Sequence, residues 1–230
     1  MEFEPCDRAV YLPAADALVC ADLHVGRAAT SNVEWGLGEH AHATLIGRFE
    51  ALLERFSPTE AVLAGDVLHA FDSLPRGAAE TVRELQGVAE AAETRLLATP
   101  GNHDTMLEEL WDGPTAGEYR LGRVVVTHGH ERPETDADCY VVGHDHPTIE
   151  IEGQRRPCYL YGPEQYGDAD VLMLPSFSRL PAGVAVNGMT AREFQSPLVT
   201  DADGLRPVVR DEDADETHEF PPLGKFRRLL

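Results

Sequence analysis

The residues best suited to chemistry in this chain fall in five short blocks: Asp22-Leu23-His24, Gly65-Asp66, Gly101-Asn102-His103-Asp104, His128-Gly129-His130 and Gly143-His144-Asp145-His146. Together they offer carboxylate oxygens, imidazole nitrogens and an amide oxygen, a donor mixture suited to divalent ions such as Mn, Fe, Zn or Mg. No cysteine belongs to the set, which argues against a structural zinc site. A carboxylate bridging two ions about 3.5–4 Å apart sets an activated water in line with phosphorus, and the ions neutralise charge on the phosphoryl oxygens. Asp and Asn at such positions ordinarily cap turns. Here seven of the ten histidines (24, 69, 103, 128, 130, 144 and 146) lie in or beside the blocks, and their company points to a two-metal hydrolytic site.

Each block follows a short apolar run: residues 17–21, 61–64, 96–99, 124–126 and 140–142. Runs this short, bounded by Gly or Pro, predict strands buried on both faces. Between them, residues 39–56 place Leu45, Phe49, Leu52, Leu53 and Phe56 at helical spacing, and residues 78–93 do the same with Val82, Leu85 and Val88. Strands alternating with helices give an α/β sheet, in which ligands gather beyond the carboxyl ends of the strands. Segments distant in sequence therefore converge on one rim. The loop at 30–38, with Trp35, either covers that rim or supplies an ordinary packing aromatic.

The series DLH, GD, GNHD, HGH and GHDH resembles the calcineurin-like metallophosphoesterase superfamily over roughly residues 17–190. The resemblance implies an α/β sandwich of two mixed β-sheets flanked by helices. It further implies that Asp22, His24 and His146 hold one divalent ion, that Asn102, His128 and His144 hold another, and that Asp66 bridges them. Mn is the first expectation for both ions, with Fe, Zn and Mg as alternatives. His103 corresponds to the general acid, oriented by Asp104; its competing role is metal ligation, and Asp104 has the alternative of capping a helix near 106–111. His69 stands where many members carry Asp or Asn, and is expected to shape the pocket. Arg27 and His130 are candidate phosphate contacts, each with the alternative of an ordinary surface position. The forms DLHVG, GDVLH, THGH and GHDHP, a later LPSF and an expected strand at 171–186 resemble a small archaeal and bacterial branch related to the nuclease subunit of double-strand-break repair complexes. That branch implies a phosphodiesterase or DNA/RNA nuclease with a DNA-repair protein as partner. A small-molecule phosphomonoesterase or cyclic-nucleotide phosphodiesterase is the alternative, and a non-catalytic scaffold a third, disfavoured because every expected position is filled.

Composition describes the setting. The 230 residues carry a net charge of −21, from 40 acidic and 19 basic side chains, and Lys225 is the one lysine. Acidity with lysine replaced by arginine is expected of a cytoplasmic protein from a salt-loving archaeon, because salt screens the self-repulsion, with a Debye length of about 3 Å at 1 M. Nucleic-acid affinity usually rests on basic contacts, and no basic block precedes residues 225–228, so a nuclease reading predicts short or single-stranded contacts, or a partner that supplies the surface. Arg155, Arg156 and Arg192 are scattered candidates. The four cysteines form no C-x-x-C pair and read as reduced, buried thiols. No signal peptide or membrane span is evident. One domain is expected over 1–210, ending in a strand pair at 197–199 and 205–209, followed by an acidic mobile segment and a C-terminal tail over 211–230 that docks back on the body.

Overall fold

The computed structural model describes residues 1–27, 35–69 and 74–227. In chain order its strands are β1 (Glu4–Cys6), β2 (Ala9–Leu12), β3 (Ala17–Cys20), β4 (Glu60–Ala64), β5 (Arg95–Thr99), β6 (Glu118–Leu121), β7 (Val124–Thr127), β8 (Cys139–Val142), β9 (Pro147–Ile151), β10 (Gln154–Pro157), β11 (Tyr159–Tyr166), β12 (Ala169–Met173), β13 (Val184–Ala185), β14 (Arg206–Asp211) and β15 (Glu216–Glu219). The helices are α1 (Trp35–Phe56), α2 (Ala78–Ala91) and α3 (Leu223–Phe226).

Two mixed sheets form the body. One has the order β1-β2-β3-β4-β5, the other β15-β14-β11-β12-β8-β7-β6, and a small sheet β10-β9-β13 lies beside them. The strands that feed the blocks run parallel within each sheet: β3, β4 and β5 in the first, β7 and β8 in the second. Their carboxyl ends therefore share a rim, as the doubly buried runs led us to expect.

The alternation along β3 sorts the layers. Leu18 and Cys20 pack with Phe49 and Leu53 of α1 and with Val82 and Leu85 of α2. Ala17 and Val19 face the other way, into an inter-sheet core with Val126, Val141, Tyr159 and Leu172. Beyond the seven-stranded sheet, a third cluster brings Val142, Leu160 and Met173 against Leu198, Leu205, Leu223 and Phe226. Helices α1 and α2 thus cover one sheet, while turns, the small sheet and α3 cover the other.

Several local expectations need correction. The helix placed at 39–56 begins at Trp35, so residues 35–38 of the expected loop are helical, and 30–34 lie outside the described residues. Gly36 and Gly38 cost about 1 kcal/mol each relative to alanine, which a helix of 22 residues carries. The strand expected at 171–186 is interrupted: β12 stops at Met173 before Pro175, and β13 instead pairs in parallel with β9. Residues 197–199 form no strand; β14 pairs with β11 and β15. The acidic run folds into a hairpin whose outer strand β15 is exposed throughout. In the tail, Leu223 and Phe226 are buried.

The buried Tyr159 hydroxyl on β11 donates to the Ala9 carbonyl on β2 at 2.6 Å, joining the two sheets across the core. Tyr159→Phe is expected to lower stability by about 1–3 kcal/mol, because it strands a buried acceptor. A denaturant midpoint unchanged from wild type in high salt would deny this bond a part in tying the sheets together.

Candidate metal centre

The loops leaving β3, β4, β5, β7 and β8 carry the five blocks to the shared rim, and main-chain bonds lock them together. The Asp22 amide donates to the Gly65 carbonyl at 3.0 Å and the His24 amide to the Asp66 carbonyl at 2.8 Å. The sheets are also tied across the rim: the His144 amide donates to the Asp22 carboxylate at 3.0 and 3.2 Å, and His128 Nδ1 lies 3.3 Å from the Ala64 carbonyl.

The turns are tight enough to strain. Asp22, His24, Asp66, His144 and His146 have φ of +57, +49, +46, +74 and +47°, in a region that costs an L-residue about 1–2 kcal/mol. The packing also leaves no room beside them. A Cβ on Gly65, itself at φ +75°, would meet His128 Nδ1 at 2.2 Å; on Gly143 it would meet Asp22 Oδ2 at 2.5 Å.

Two groups of donors result. Asp22, His24, Asp66 and His146 each present a ligand atom, and these atoms lie within 4.8 Å of one another. Further donors, the second group, adjoin both carboxylates: His128 Nε2 is 3.4 Å from Asp66 Oδ1, and its Nδ1 is 3.7 Å from Asp22 Oδ1. The same Nε2 is 3.2 Å from Asn102 Oδ1 and 3.1 Å from His144 Nδ1. Asp66 therefore neighbours members of both groups. The His103 ring lies at the open side, with Nε2 3.9 Å from Asp66 Oδ2 and its side chain 23% exposed.

Electrostatics fit cations at both groups. Burial, opposed by Asp22, drives His24 down to about 3 and His128 to about 4; burial and the His128 ring take His144 to about 4. These imidazoles are neutral near pH 7, the form that ligates metal. Burial and the neighbouring Asp22 carboxylate push Asp66 up to about 8. Burial also works against Asp22, but its hydrogen bond with His146 and the surrounding imidazoles hold it below the ordinary carboxylate range. His24 Nδ1 is buried without a hydrogen-bond partner. Converging lone pairs, an orphaned ring nitrogen and a carboxylate that ionises with difficulty are what a pair of divalent ions would relieve.

The remaining candidates fall around this centre. The His69 ring stacks on His103, centroids 5.3 Å apart, and meets His24 edge-on at 5.4 Å. His130 borders the second group, 5.1 Å from His128 and 6.0 Å from His144. Arg27 lies near the first group, where its charge helps depress His24, His69 and His103 after burial. Asp104 is buried, and its carboxylate accepts from the amides of Val67, Leu68 and Gly101 at 3.2, 2.7 and 2.8 Å. It thus fixes the turn that carries His103 to the turn that carries Asp66; the 3-10 turn at Leu107–Glu109 has no side-chain cap.

Two positioning residues went unassigned in the sequence. Buried Asp145 accepts from the Gln195 and Ser196 amides at 2.8 and 3.0 Å, clamping the 144–146 turn to the 195–196 segment. Ser176 Oγ donates to the Asp22 carbonyl at 2.8 Å. Both sit inside motifs already noted, GHDH and LPSF, but nothing in their spacing distinguishes a brace from a ligand.

This centre, at the rim of a two-sheet sandwich, defines a metal-dependent hydrolase of phosphate esters. The family model for calcineurin-like phosphoesterases matches residues 16–169, and the chain belongs to that family. Among solved structures it is similar to the Pseudomonas putida nuclease MPE, with a TM-score of 0.64 and 22% identity over 90% of this chain and 96% of that one. At that identity the likeness is one of fold. No curated protein matches the chain. No described helix is long and apolar enough to cross a membrane.

The charge pattern predicts how metal-stripped protein responds to pH. Unfolded histidines take up protons below about 6.5 while the buried ones resist, so stability falls as pH drops from about 6.5 towards about 4. Asp66 acts oppositely: its folded-state pKa is raised, so its contribution is lost as pH climbs towards about 8. Tm should therefore peak between about pH 6 and about pH 7. Asp66→Asn should flatten the alkaline limb. A wild-type Tm still rising through about pH 8 would contradict this placement of Asp66.

Proposed function

We propose that this chain is a two-metal phosphodiesterase acting on nucleic acid, with single-stranded or short contacts preferred. The observation that carries the reading is the pair of donor groups that meet at buried Asp66, with partly exposed His103 beside it. When bound, two divalent ions, Mn first among them, supply an activated water and neutralise charge on the phosphoryl oxygens. Asp22, His24 and His146 would hold one ion, Asn102, His128 and His144 the other, and Asp66 both.

The chain's own residues do the rest. His103 delivers a proton to the departing oxygen. Burial, then His146 and Arg27, hold its pKa below the usual imidazole range, so it gains its proton when a substrate phosphate lies alongside. Asp104 keeps that ring in place through the backbone of its turn. Arg27, His69 and His130 line the rim as phosphate contacts. The nuclease name of the structural neighbour supports nucleic acid as substrate over a cyclic nucleotide or a phosphomonoester. The chain's acidity argues for high-salt surroundings in a cytoplasm, and for a repair partner where longer duplex must be held.

Metal-stripped protein, restored with Mn in high salt, should hydrolyse bis-p-nitrophenyl phosphate and cut end-labelled DNA, with single strands preferred. Asp66→Ala should abolish both activities. His103→Ala should retain bound metal yet lose about 10²–10⁴-fold on DNA. It should lose far less on the p-nitrophenyl diester, whose leaving group needs no proton. Turnover of p-nitrophenyl phosphate or a cyclic nucleotide alone would replace the nuclease reading with a small-molecule one. Equal losses on both diesters would deny His103 its role as acid.

A further inference from the structure

A cleft of about 130 Å³ opens directly beside the first donor group, and His146 belongs to both. Its walls include four prolines, and besides His146 its polar side chains are Arg8, Thr148, Arg155 and Ser176, the last already bonded to the Asp22 carbonyl. The chain has 40 acidic residues in 230, yet none of them lines this cleft. The larger depression between α2 and β5, about 590 Å³, offers the contrast: there Arg83 shares the lining with Glu90 and Asp112.

Arg8 is held for a purpose other than an ion pair. Its Nη1 donates to the carbonyls of Ser178 and Ser176 at 2.7 and 3.3 Å. The adjacent Asp7 is instead taken by Arg48 and Arg179, and no carboxylate lies within salt-bridge distance of Arg8 among the described residues. Burial and those two arginines lower its pKa only to about 10, so it stays charged at neutral pH. Arg155, exposed on β10, likewise pairs with no carboxylate among the described residues, while its neighbour Arg156 pairs with Asp211. Thr148 is 6% exposed, and its Oγ1 makes no hydrogen bond in the protein. A buried hydroxyl left so costs about 1–3 kcal/mol, a cost that a bound acceptor removes.

Two guanidiniums and an unused hydroxyl, walled by proline and free of acid, suit a phosphate group. We propose that this cleft binds the phosphate next to the scissile one, so that the substrate is a nucleotide chain with at least two phosphates and not an isolated diester. The proposal rests on the reading of Asp22, His24, Asp66 and His146 as the reacting centre. Arg8, Thr148 and Arg155 are then specificity residues, rewarding a chain that continues past the cut.

The test uses two thymidylate probes, TpT with one phosphate and TpTpT with two. Metal-stripped full-length protein, titrated by calorimetry, should bind TpTpT about tenfold more tightly than TpT. Arg155→Ala and Thr148→Val should each erase most of that advantage without lowering Tm; the Arg155 side chain makes no hydrogen bond among the described residues, and valine removes the unsatisfied hydroxyl while keeping the shape of threonine, so it should raise Tm. Arg8→Gln should do the same, but it also loosens the 176–178 segment, so the other two substitutions decide the matter. With Mn restored, the ratio of kcat/KM for TpTpT over TpT should fall in step with binding. Equal affinity of wild type for both probes, or an advantage that survives both substitutions, overturns the subsite. If neither probe is hydrolysed yet the binding advantage holds and disappears in the variants, the phosphodiesterase reading fails and the subsite stands. Hydrolysis of both probes with an unchanged ratio in the variants gives the converse.

Discussion

Asp22 and Asp66 lie withdrawn from water, with ligand atoms within 4.8 Å of one another, among imidazoles of which His24, His128 and His144 are driven towards neutrality while Asp22 favours the charged form of His146. Nothing in the protein's own chemistry makes that arrangement comfortable. Two buried carboxylates repel, and the neutral rings of His24, His128 and His144 crowd together with little to donate between them. The rest of the structure can be understood as what it takes to hold these groups in place.

Rigid parallel strands bring the groups to one rim, but the rim is shared by two sheets, so the sheets must not slide. The bonds from the His144 amide to Asp22 and from Tyr159 to Ala9 meet that need, both near the carboxyl ends of β3 and β8. Left-handed backbone at five donors turns each side chain sharply inward, and buried Asp104, Asp145 and Ser176 secure the turns from behind. Local strain of this kind persists only where surrounding structure over-determines it. Here it is the means by which residues from distant strands are aimed at one point.

Much of this was legible from residue types. Doubly buried strands announce themselves as short apolar runs because neither face needs polar side chains, and all five such runs proved to be strands ending at the rim. The donor blocks were legible because histidine and aspartate are costly at strand ends unless something repays them. What escaped was governed by tertiary partners. Residues 197–199 carry strand-like composition but bury Leu198 in a loop, since β14 found β11 and β15 instead. The start of α1 was hidden by two glycines whose intrinsic cost the longer helix outweighs. Asp145 and Ser176 are chemically indistinguishable in sequence from ligands or solvent-facing residues; only their backbone partners, about 50 and 154 positions away, reveal them as braces. Left-handed φ at non-glycine residues leaves only a faint mark in sequence, an enrichment in Asn, Asp and His that these residue types share with ordinary turns.

The hairpin of β14 and β15 closes one end of the seven-stranded sheet, and its outer strand reads Glu-Thr-His-Glu, exposed at every position. An open strand edge is a template on which another chain can pair. Here an incoming strand would have to lie beside Glu216 and Glu219 and strip water from both carboxylates. In concentrated salt the Coulomb part of that barrier is screened, but the dehydration part is not. The cost of stripping water from those carboxylates therefore opposes pairing at this border, and it does so at high ionic strength as well as low.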